Sequence, residues 1–439
     1  MRAIAAISTP VGAGGIGIMR VSGEDALAVA DAIFICADAR PLAGTPRFMR
    51  FGTFDAGDFR DKGYAVFFPA AAAYTGEDTV EFYLHGGVRI MKGALDAALR
   101  AGARLAERGE FTKRAYLAGR LSLADAEGVA DMINAESAAA LNAAYRLMDG
   151  SLTREINGIG DFLGDVITSL EAVLDYPEET EDEVLPPLEG EIKDALARVN
   201  ALLATADSGR MAKYGVTAVL AGKPNAGKSS LMNALLGEER AIVTCTPGTT
   251  RDTIEGSVEC DGVRINLVDT AGIRESEDEI ESEGVRRAIR AAKHADVVLH
   301  VVDTTDDREG EDALDFGDAR VFTVRNKCDL TSYKCPRMYG CFAVSAKEGV
   351  GVEELRRAIA ALAAEGMATG GEVITSERHK DALYRAKNAL ESALSSLDGT
   401  VDLTLVDLRE AYDALGEITG KTATEDVVDA IFAKFCVGK

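Results

Sequence analysis

The sequence predicts a multidomain protein: an α+β domain at the N-terminus, an all-α domain built from two separated segments, and an α/β domain inserted between them. Three observations carry this reading. At 439 residues the chain exceeds what one hydrophobic core usually serves. Its apolar residues change period, from short runs broken by Gly and Pro to helical spacing, near residue 119. Strand-like runs alternating with helical ones then occupy about 215–368, with helical spacing resuming after them. The expected divisions are 1–118, 119–214, 215–368 and 369–439.

In the first division, AIAAIS, GIGIMRVSG, YAVFFP and TVEFYLHGG read as strands and a helix is expected near 88–101. In the second, Ile159, Phe162, Val166, Leu170 and Val173 recur at helical spacing, as do Ile192, Leu196, Val199 and Leu203. Between these sit Pro177, the run Glu178-Glu179-Thr180-Glu181-Asp182-Glu183, and Pro186-Pro187, which composition makes a solvated loop. The third division holds VTAVLAG, VRINLVDT, DVVLHVVD, RVFTVRN and CFAVSA, apolar runs that suit a parallel sheet covered on both faces. After Gly366, Gly370 and Gly371, the residues Leu383, Leu390, Leu394 and Leu397 mark another helix face. Helical segments on either side of the α/β block are expected to pack together.

Composition excludes several function classes. With 72 acidic and 48 basic residues the net charge is −24, against a broad electrostatic clamp on nucleic acid. Tryptophan is absent and aromatics are 6%, against a stacking platform for single strands. Seven scattered cysteines and four histidines show neither a disulfide framework nor a zinc spacing, so reduced thiols are expected. The glycine-broken N-terminus and the lack of a long uncharged apolar run predict a soluble, cytoplasmic protein without membrane association.

The chemistry begins directly after VTAVLAG. Gly222-Lys223-Pro224-Asn225-Ala226-Gly227-Lys228-Ser229 fits G-x-x-x-x-G-K-[ST] between a strand and a helix. Its glycines turn backbone N–H groups toward phosphate oxygens, and the helix N-terminus adds its positive dipole end. Lys228 would neutralise the β- and γ-phosphates, and Ser229 would ligate Mg²⁺. Three further segments follow in the order a GTP-binding domain requires. Asp269-Thr270-Ala271-Gly272 supplies an acidic strand end for Mg²⁺ and a glycine N–H for the γ-phosphate. In Asn326-Lys327-Cys328-Asp329, the Asp329 carboxylate accepts the ring N–H and exocyclic amine of guanine, a pair adenine lacks. Ser345-Ala346-Lys347 offers a backbone N–H to guanine O6. Four motifs in order predict a P-loop GTPase domain.

Between the loop and the acidic strand end lies Thr244-Cys245-Thr246-Pro247-Gly248-Thr249-Thr250-Arg251-Asp252, where Thr250 is the candidate second Mg²⁺ ligand. Arg251 reads as a switch-stabilising or solvated residue rather than a built-in arginine finger. Ile273 follows Gly272 where many GTPases place a water-orienting Gln, so another residue must orient the water.

Together these residues bring out a family resemblance. Gly416-Glu417-Ile418-Thr419-Gly420, Thr424-Glu425-Asp426 and the terminal Phe435-Cys436-Val437-Gly438-Lys439 resemble the closing signature of the tRNA modification GTPase MnmE (TrmE) family. AAISTPVGAGGIGIMRVSG, TGEDTVEFYLHGG, RGEFTKRAYLAGRLSLADAEG and GTTRD resemble its other hallmarks, so the likeness covers the whole chain.

The resemblance implies an N-terminal domain similar to folate-dependent aminomethyltransferases that binds 5-formyl- or 5,10-methylene-tetrahydrofolate and forms the homodimer. It implies a discontinuous helical domain carrying the GTPase domain as an insert. It also implies a flavoprotein partner, MnmG (GidA), which holds FAD and NADH and joins in a heterotetramer or larger complex. With that partner the family adds aminomethyl-type groups to C5 of the wobble uridine of certain tRNAs, coupled to GTP hydrolysis that requires K⁺. By motif, Asn225 matches the K⁺ ligand, with Thr244, Thr246 and Thr249 completing that site. Ala226, Gly227, Ser230, Cys245, Pro247 and Gly248 join the GTP-contacting set. Glu281, twelve residues past Asp269, matches the glutamate that orients the hydrolytic water. Arg20, Glu81, Arg120 and Lys439 match the folate contacts. Cys436 matches a cysteine once considered a nucleophile; flanked by Phe435 and Val437, it reads as a packed thiol rather than an activated one.

This chain departs from the family at Cys245-Thr246-Pro247, commonly Asp, an apolar residue and Ala; Pro247 removes an N–H from the K⁺ loop. Arg120 stands where Lys also occurs. Two alternatives carry different predictions. A ribosome-assembly GTPase switch would append a basic RNA-binding module, whereas residues 369–439 hold 8 basic and 13 acidic residues. A stand-alone folate-dependent transferase with GTP as allosteric ligand would turn over without a partner. The four divisions carry +1, −12, −8 and −5, so tRNA contacts are expected to be few and local or supplied by the partner.

Overall fold

A computed structural model describes residues 2–237, 256–269, 293, 295–306, 316, 319–331, 340–365, 373–397 and 400–439. The chain forms two compact units, Met1–Ala130 with Leu147–Gly160 and Tyr412–Lys439, and Asp131–Arg146 with Asp161–Ala411.

The first unit opens with β1 (Ile4–Ile7), β2 (Gly14–Ser22), α1 (Ala26–Ile33), β3 (Phe34–Cys36), β4 (Arg50–Asp55), β5 (Arg60–Phe68), β6 (Thr79–Gly86), α2 (Val88–Arg100), β7 (Arg104–Leu105) and α3 (Glu110–Leu117). The strands form one sheet in the order β3-β4-β5-β6-β2-β1-β7, antiparallel throughout except for β1 beside β7. Alternation along β6 sends Val80, Phe82 and Leu84 into the core with Met19, Val21, Phe34 and Phe54. Glu81 and Tyr83 stand on the opposite face. The four expected strands and the helix near 88–101 are present; β3 and β4 are short segments whose sequence carries no strong run.

Helices follow: α4 (Leu123–Asn134), α5 (Ala138–Met148), α6 (Ser151–Asp175), α7 (Pro177–Leu203) and α8 (Ala206–Tyr214). The expected acidic loop is instead the start of α7. Pro177 occupies the first turn, where its missing N–H has no helical partner to lose. Glutamates are good helix formers and favour the positive end of the dipole, so the charge run extends the helix rather than interrupting it. Most of the expected stripe is buried: Ile159, Val166, Leu170 and Val173 on α6, and Ile192 and Val199 on α7, whereas Leu196 and Leu203 are partly exposed. Leu163 is buried where Phe162 is partly exposed, and Leu188, Ile192, Ala195, Val199 and Leu202 form the buried face of α7.

The α/β block holds β8 (Val216–Ala221), α9 (Lys228–Leu236), β9 (Gly256–Cys260), β10 (Val263–Asp269), β11 (Val297–Asp303), β12 (Val321–Asn326), β13 (Cys341–Ala343) and α10 (Val352–Ala364). Its sheet runs β13-β12-β11-β8-β10-β9, parallel except for the β9–β10 hairpin. β8 is central, with Ala218 and Leu220 buried at no exposure. This is the parallel sheet the apolar runs predicted.

The chain closes with α11 (Glu377–Ser396), α12 (Val401–Thr419) and α13 (Glu425–Phe432). α11 packs along α7. The Ile374 N–H donates to Thr205 Oγ1 at 3.1 Å, and Gly209 lies so close that an added Cβ would stand 2.2 Å from the Ile374 carbonyl. The segments leading into and out of the α/β block are thus pinned side by side. In the first unit, Phe432 and Phe435 bury against Leu123 and Ala126, with Tyr116 packed alongside. Among the described residues, no helix is long and apolar enough to cross a membrane.

Candidate functional site

The phosphate loop leaves β8 at Ala221 and enters α9 at Lys228. Only glycine fits at its two ends. Gly222 has φ +144°, and an added Cβ would lie 2.2 Å from the Val301 carbonyl; Gly227 has φ +92°, with Asn326 Nδ2 2.3 Å from that Cβ. Asn225 adopts φ 67°, a left-handed conformation that Asn tolerates. The Lys228 ammonium donates to the Gly222 and Lys223 carbonyls at 2.8 and 2.9 Å, so the loop folds around its own lysine. Ser229 and Ser230 are exposed in the first turn of α9, where the leading N–H groups point out of the helix.

Register brings the other motifs to the same edge. Asp269 pairs with Leu220, His300 with Ala221, Asp303 with Asn326, and Arg325 with Ala343. The carboxyl ends of β8, β10, β11, β12 and β13 therefore form one rim, where doubly wound sheets bind ligands. Asn326, buried at 2% exposure, ties this rim together: its Nδ2 donates to the Ala226 carbonyl at 3.0 Å, and its Oδ1 accepts the Ala346 N–H at 3.1 Å. Lys327, at φ 62°, donates to the Asn225 carbonyl at 3.1 Å and pairs with Asp303. Asp329 is exposed in a short turn, Cys328–Leu330, open to a base. Ser345 is fully buried; its Oγ accepts the Glu348 N–H at 3.2 Å.

Asp303 is the member that motif reading missed. Partial burial pushes its carboxyl up, but hydrogen bonds from Lys327 and Thr305 outweigh this and hold it below the usual range. Its signal was the acidic end of DVVLHVVD, the same kind of strand end as Asp269. The described residues give Asp269 only as the end of β10. Thr244, Cys245, Thr246, Pro247, Gly248, Thr249, Thr250, Arg251, Thr270, Ala271, Gly272 and Glu281 lie outside the described residues.

In the first unit, Arg20 and Glu81 are register partners on β2 and β6. Arg20 Nε donates to Glu81 Oε1 at 2.8 Å, and Tyr83 donates to Glu81 Oε2 at 2.7 Å. The guanidinium lies 5.4 Å over the Phe111 ring. Burial pushes Tyr83 up to about 12, reinforced by its bond to Glu81. Arg120 is exposed and donates to the Ala70 and Ala71 carbonyls at 2.8 and 3.0 Å. The C-terminal tail docks on the same unit: Val437 bridges Arg108, Ser8 Oγ donates to the Gly438 carbonyl at 3.2 Å, and a Cβ on Gly438 would meet the Ile7 carbonyl. Arg20 and Glu81 are thus in direct contact, whereas Arg120 bonds the Ala70–Ala71 turn of the same segment and Lys439 belongs to the C-terminal segment of the unit. Cys436 is exposed, not packed as its apolar neighbours suggested, because Phe435 alone turns inward. His85 is also exposed and pairs with Asp61 at 2.7 Å.

A family model described as the MnmE helical domain matches residues 123–436, and one described as the GTP-binding protein TrmE N-terminus matches residues 3–120. The chain belongs to the tRNA modification GTPase MnmE family. Curated relatives of that name include one from Syntrophus aciditrophicus, 41% identical across 99% of both chains. Another, from Thermus thermophilus, is 43% identical over 99% of this chain and 98% of its own. A third, from Geobacter metallireducens, is 40% identical across 99% of both. The MnmE resemblance read from the C-terminal and N-terminal signatures is therefore the family to which the chain belongs.

Proposed function

We propose that this GTPase of tRNA modification is a K⁺-activated GTP hydrolase that works with the flavoprotein MnmG (GidA). Together they add a carboxymethylaminomethyl or aminomethyl group to C5 of the wobble uridine of certain tRNAs, using a one-carbon tetrahydrofolate. The observation that carries the nucleotide part is the Asn326 clip, which holds the phosphate loop and the Ser345–Lys347 turn on one rim with Asp329. The Gly227 and Lys228 backbone and the Lys228 ammonium would bind phosphate oxygens, and Asp329 would select guanine. Ser229, with Thr250, would hold Mg²⁺, which supplies charge neutralisation at the phosphates. Asn225, with Thr244, Thr246 and Thr249, would hold K⁺, supplying positive charge where other GTPases use an arginine finger. Glu281 would orient the attacking water.

We assign residues 1–118 to an aminomethyltransferase-like folate-binding and dimerisation domain, 119–214 and 369–439 to the helical domain, and 215–368 to the GTPase domain. Arg20 and Glu81, with Arg120 and Lys439, would contact the folate. The tail supports this by docking Gly438 against Ile7 and Ser8. Exposed Ile35, Phe48, Met49 and Phe51 near β3 and β4 support a homodimer through this domain in the cytoplasm. Cys436 is exposed enough to react.

GTP hydrolysis measured in KCl and in NaCl at equal ionic strength tests the K⁺ reading: faster turnover in KCl is expected, and equal rates would overturn it. Glu281→Ala should abolish hydrolysis while leaving GTP bound. Nucleoside analysis of tRNA from a deletion strain tests the substrate: the wobble uridine should lose its modification.

A further inference from the structure

We infer that Tyr83 completes the pterin end of the folate subsite, fixing Glu81 and offering a second acceptor beside it. This rests on the reading that Glu81 contacts tetrahydrofolate. Alternation along β6 puts Glu81 and Tyr83 on one face, opposite the core residues Val80, Phe82 and Leu84. Arg20 occupies Oε1 of Glu81 through both Nε and Nη2 at 2.8 Å, and the Tyr83 hydroxyl occupies one side of Oε2 at 2.7 Å. A carboxylate offers about four lone-pair sites, so Oε2 keeps one. The phenol, having spent its proton on Glu81, keeps its own lone pairs. Glu81 Oε2 and Tyr83 Oη thus form two acceptors 2.7 Å apart, a spacing that suits the adjacent ring N–H and exocyclic amine of a 2-amino-4-oxo pterin. With both carboxylate oxygens already held, little side-chain freedom remains to be lost on binding.

The surroundings fit an aromatic ligand. On the side of β1, Phe111 covers Arg20. On the side of β5, Tyr83 is the register partner of Tyr64, whose ring is exposed. The charged groups that reach Tyr83 are Glu81 on its own strand and Arg20 on β2, and Tyr64 is its titratable neighbour on β5.

Tyr83→Phe keeps the ring and removes the hydroxyl. Binding of 5-formyltetrahydrofolate should weaken roughly tenfold, the loss of one charge-assisted contact, while binding of the p-aminobenzoylglutamate tail alone should not change. A purely structural role would weaken both ligands alike, and that result, or unchanged 5-formyltetrahydrofolate affinity, would overturn the inference. If the unsubstituted protein binds no tetrahydrofolate, the folate reading itself fails and takes this inference with it. A ligand-free measurement tests the contact separately: tyrosinate absorbance near pH 11 should rise in Glu81→Gln by part of one tyrosine's signal, because burial still raises Tyr83 while the bond and charge of the carboxylate no longer do. Identical curves for Glu81→Gln and the unsubstituted protein would show that Tyr83 does not hold Glu81, and would overturn the inference.

Discussion

Asn326 donates its side-chain amide to the carbonyl of Ala226 across 3.0 Å, joining the end of β12 to the middle of the phosphate loop. The same side chain accepts the Ala346 N–H, so one amide joins its own motif to the phosphate loop 100 residues before it and to a third motif 20 residues after it. Its part in the motif is thus architectural: it sets the distance between the phosphate loop and the two motifs at Asn326 and Ser345.

Asn326→Ala removes both contacts and leaves a carbonyl and an N–H without partners around a buried position. Each such orphan costs about 1–3 kcal/mol. GDP and GTP affinity, measured with a fluorescent nucleotide, should fall by one to two orders of magnitude, about 1.4 kcal/mol per tenfold. Asn326→Asp keeps the acceptor for Ala346 and loses the donor to Ala226, so an intermediate loss is expected.

Asp329→Asn tests base selection without touching the phosphates. On the proposed reading the exposed carboxylate would accept two donors from guanine, whereas an amide can accept one and donate one. GTP binding should weaken by more than about tenfold, and xanthosine triphosphate, which presents a carbonyl where guanine has its amine, should bind better than GTP. Competition between the two nucleotides gives the ratio directly.

The α/β block was the most legible part of the chain. Strands buried on both faces leave uninterrupted apolar runs, and each motif sits directly after one because ligands bind at strand ends. The folate candidates were legible only through resemblance. Arg20 and Glu81 lie far apart in sequence, and nothing in GIGIMRVSG or TGEDTVE indicates that the register of β2 and β6 pairs them. The Tyr83 contact was invisible for the same reason. The acidic run at Glu178–Glu183 was misread because composition registers charge, whereas helix formation depends on side-chain propensity and on the proline placed at the first turn.

Gly222→Ala tests the tight approach of the loop to the sheet. The substitution places a Cβ 2.2 Å from the Val301 backbone carbonyl, at φ +144° where side chains are strained. Neither neighbour is a flexible side-chain end, so β8 or β11 must shift. A stability loss of about 2–4 kcal/mol is expected, read as a lower thermal midpoint, with nucleotide binding lost even where the fold survives.

Glu110 gives the pH dependence of the first unit. Burial alone would push its carboxyl up, but Arg104, the Glu107 N–H at 2.9 Å and Arg114 at 3.0 Å outweigh it and hold the carboxyl below the usual range. Arg114 is itself 5% exposed and bonds Glu77 at 2.6 Å, so the charges form a buried chain from α3 to the segment before β6. A carboxyl depressed on folding stabilises the folded state above its unfolded value and loses that contribution as pH falls through its folded value. Glu110→Gln keeps the shape and removes the charge, leaving two arginines undercompensated; a loss of about 3 kcal/mol at neutral pH is expected. Calorimetry from pH 7 down to about pH 3 should show the gap between the unsubstituted protein and Glu110→Gln narrowing as the carboxyl is protonated. A gap that stays constant across that range would mean that packing, not charge, is what Glu110 contributes.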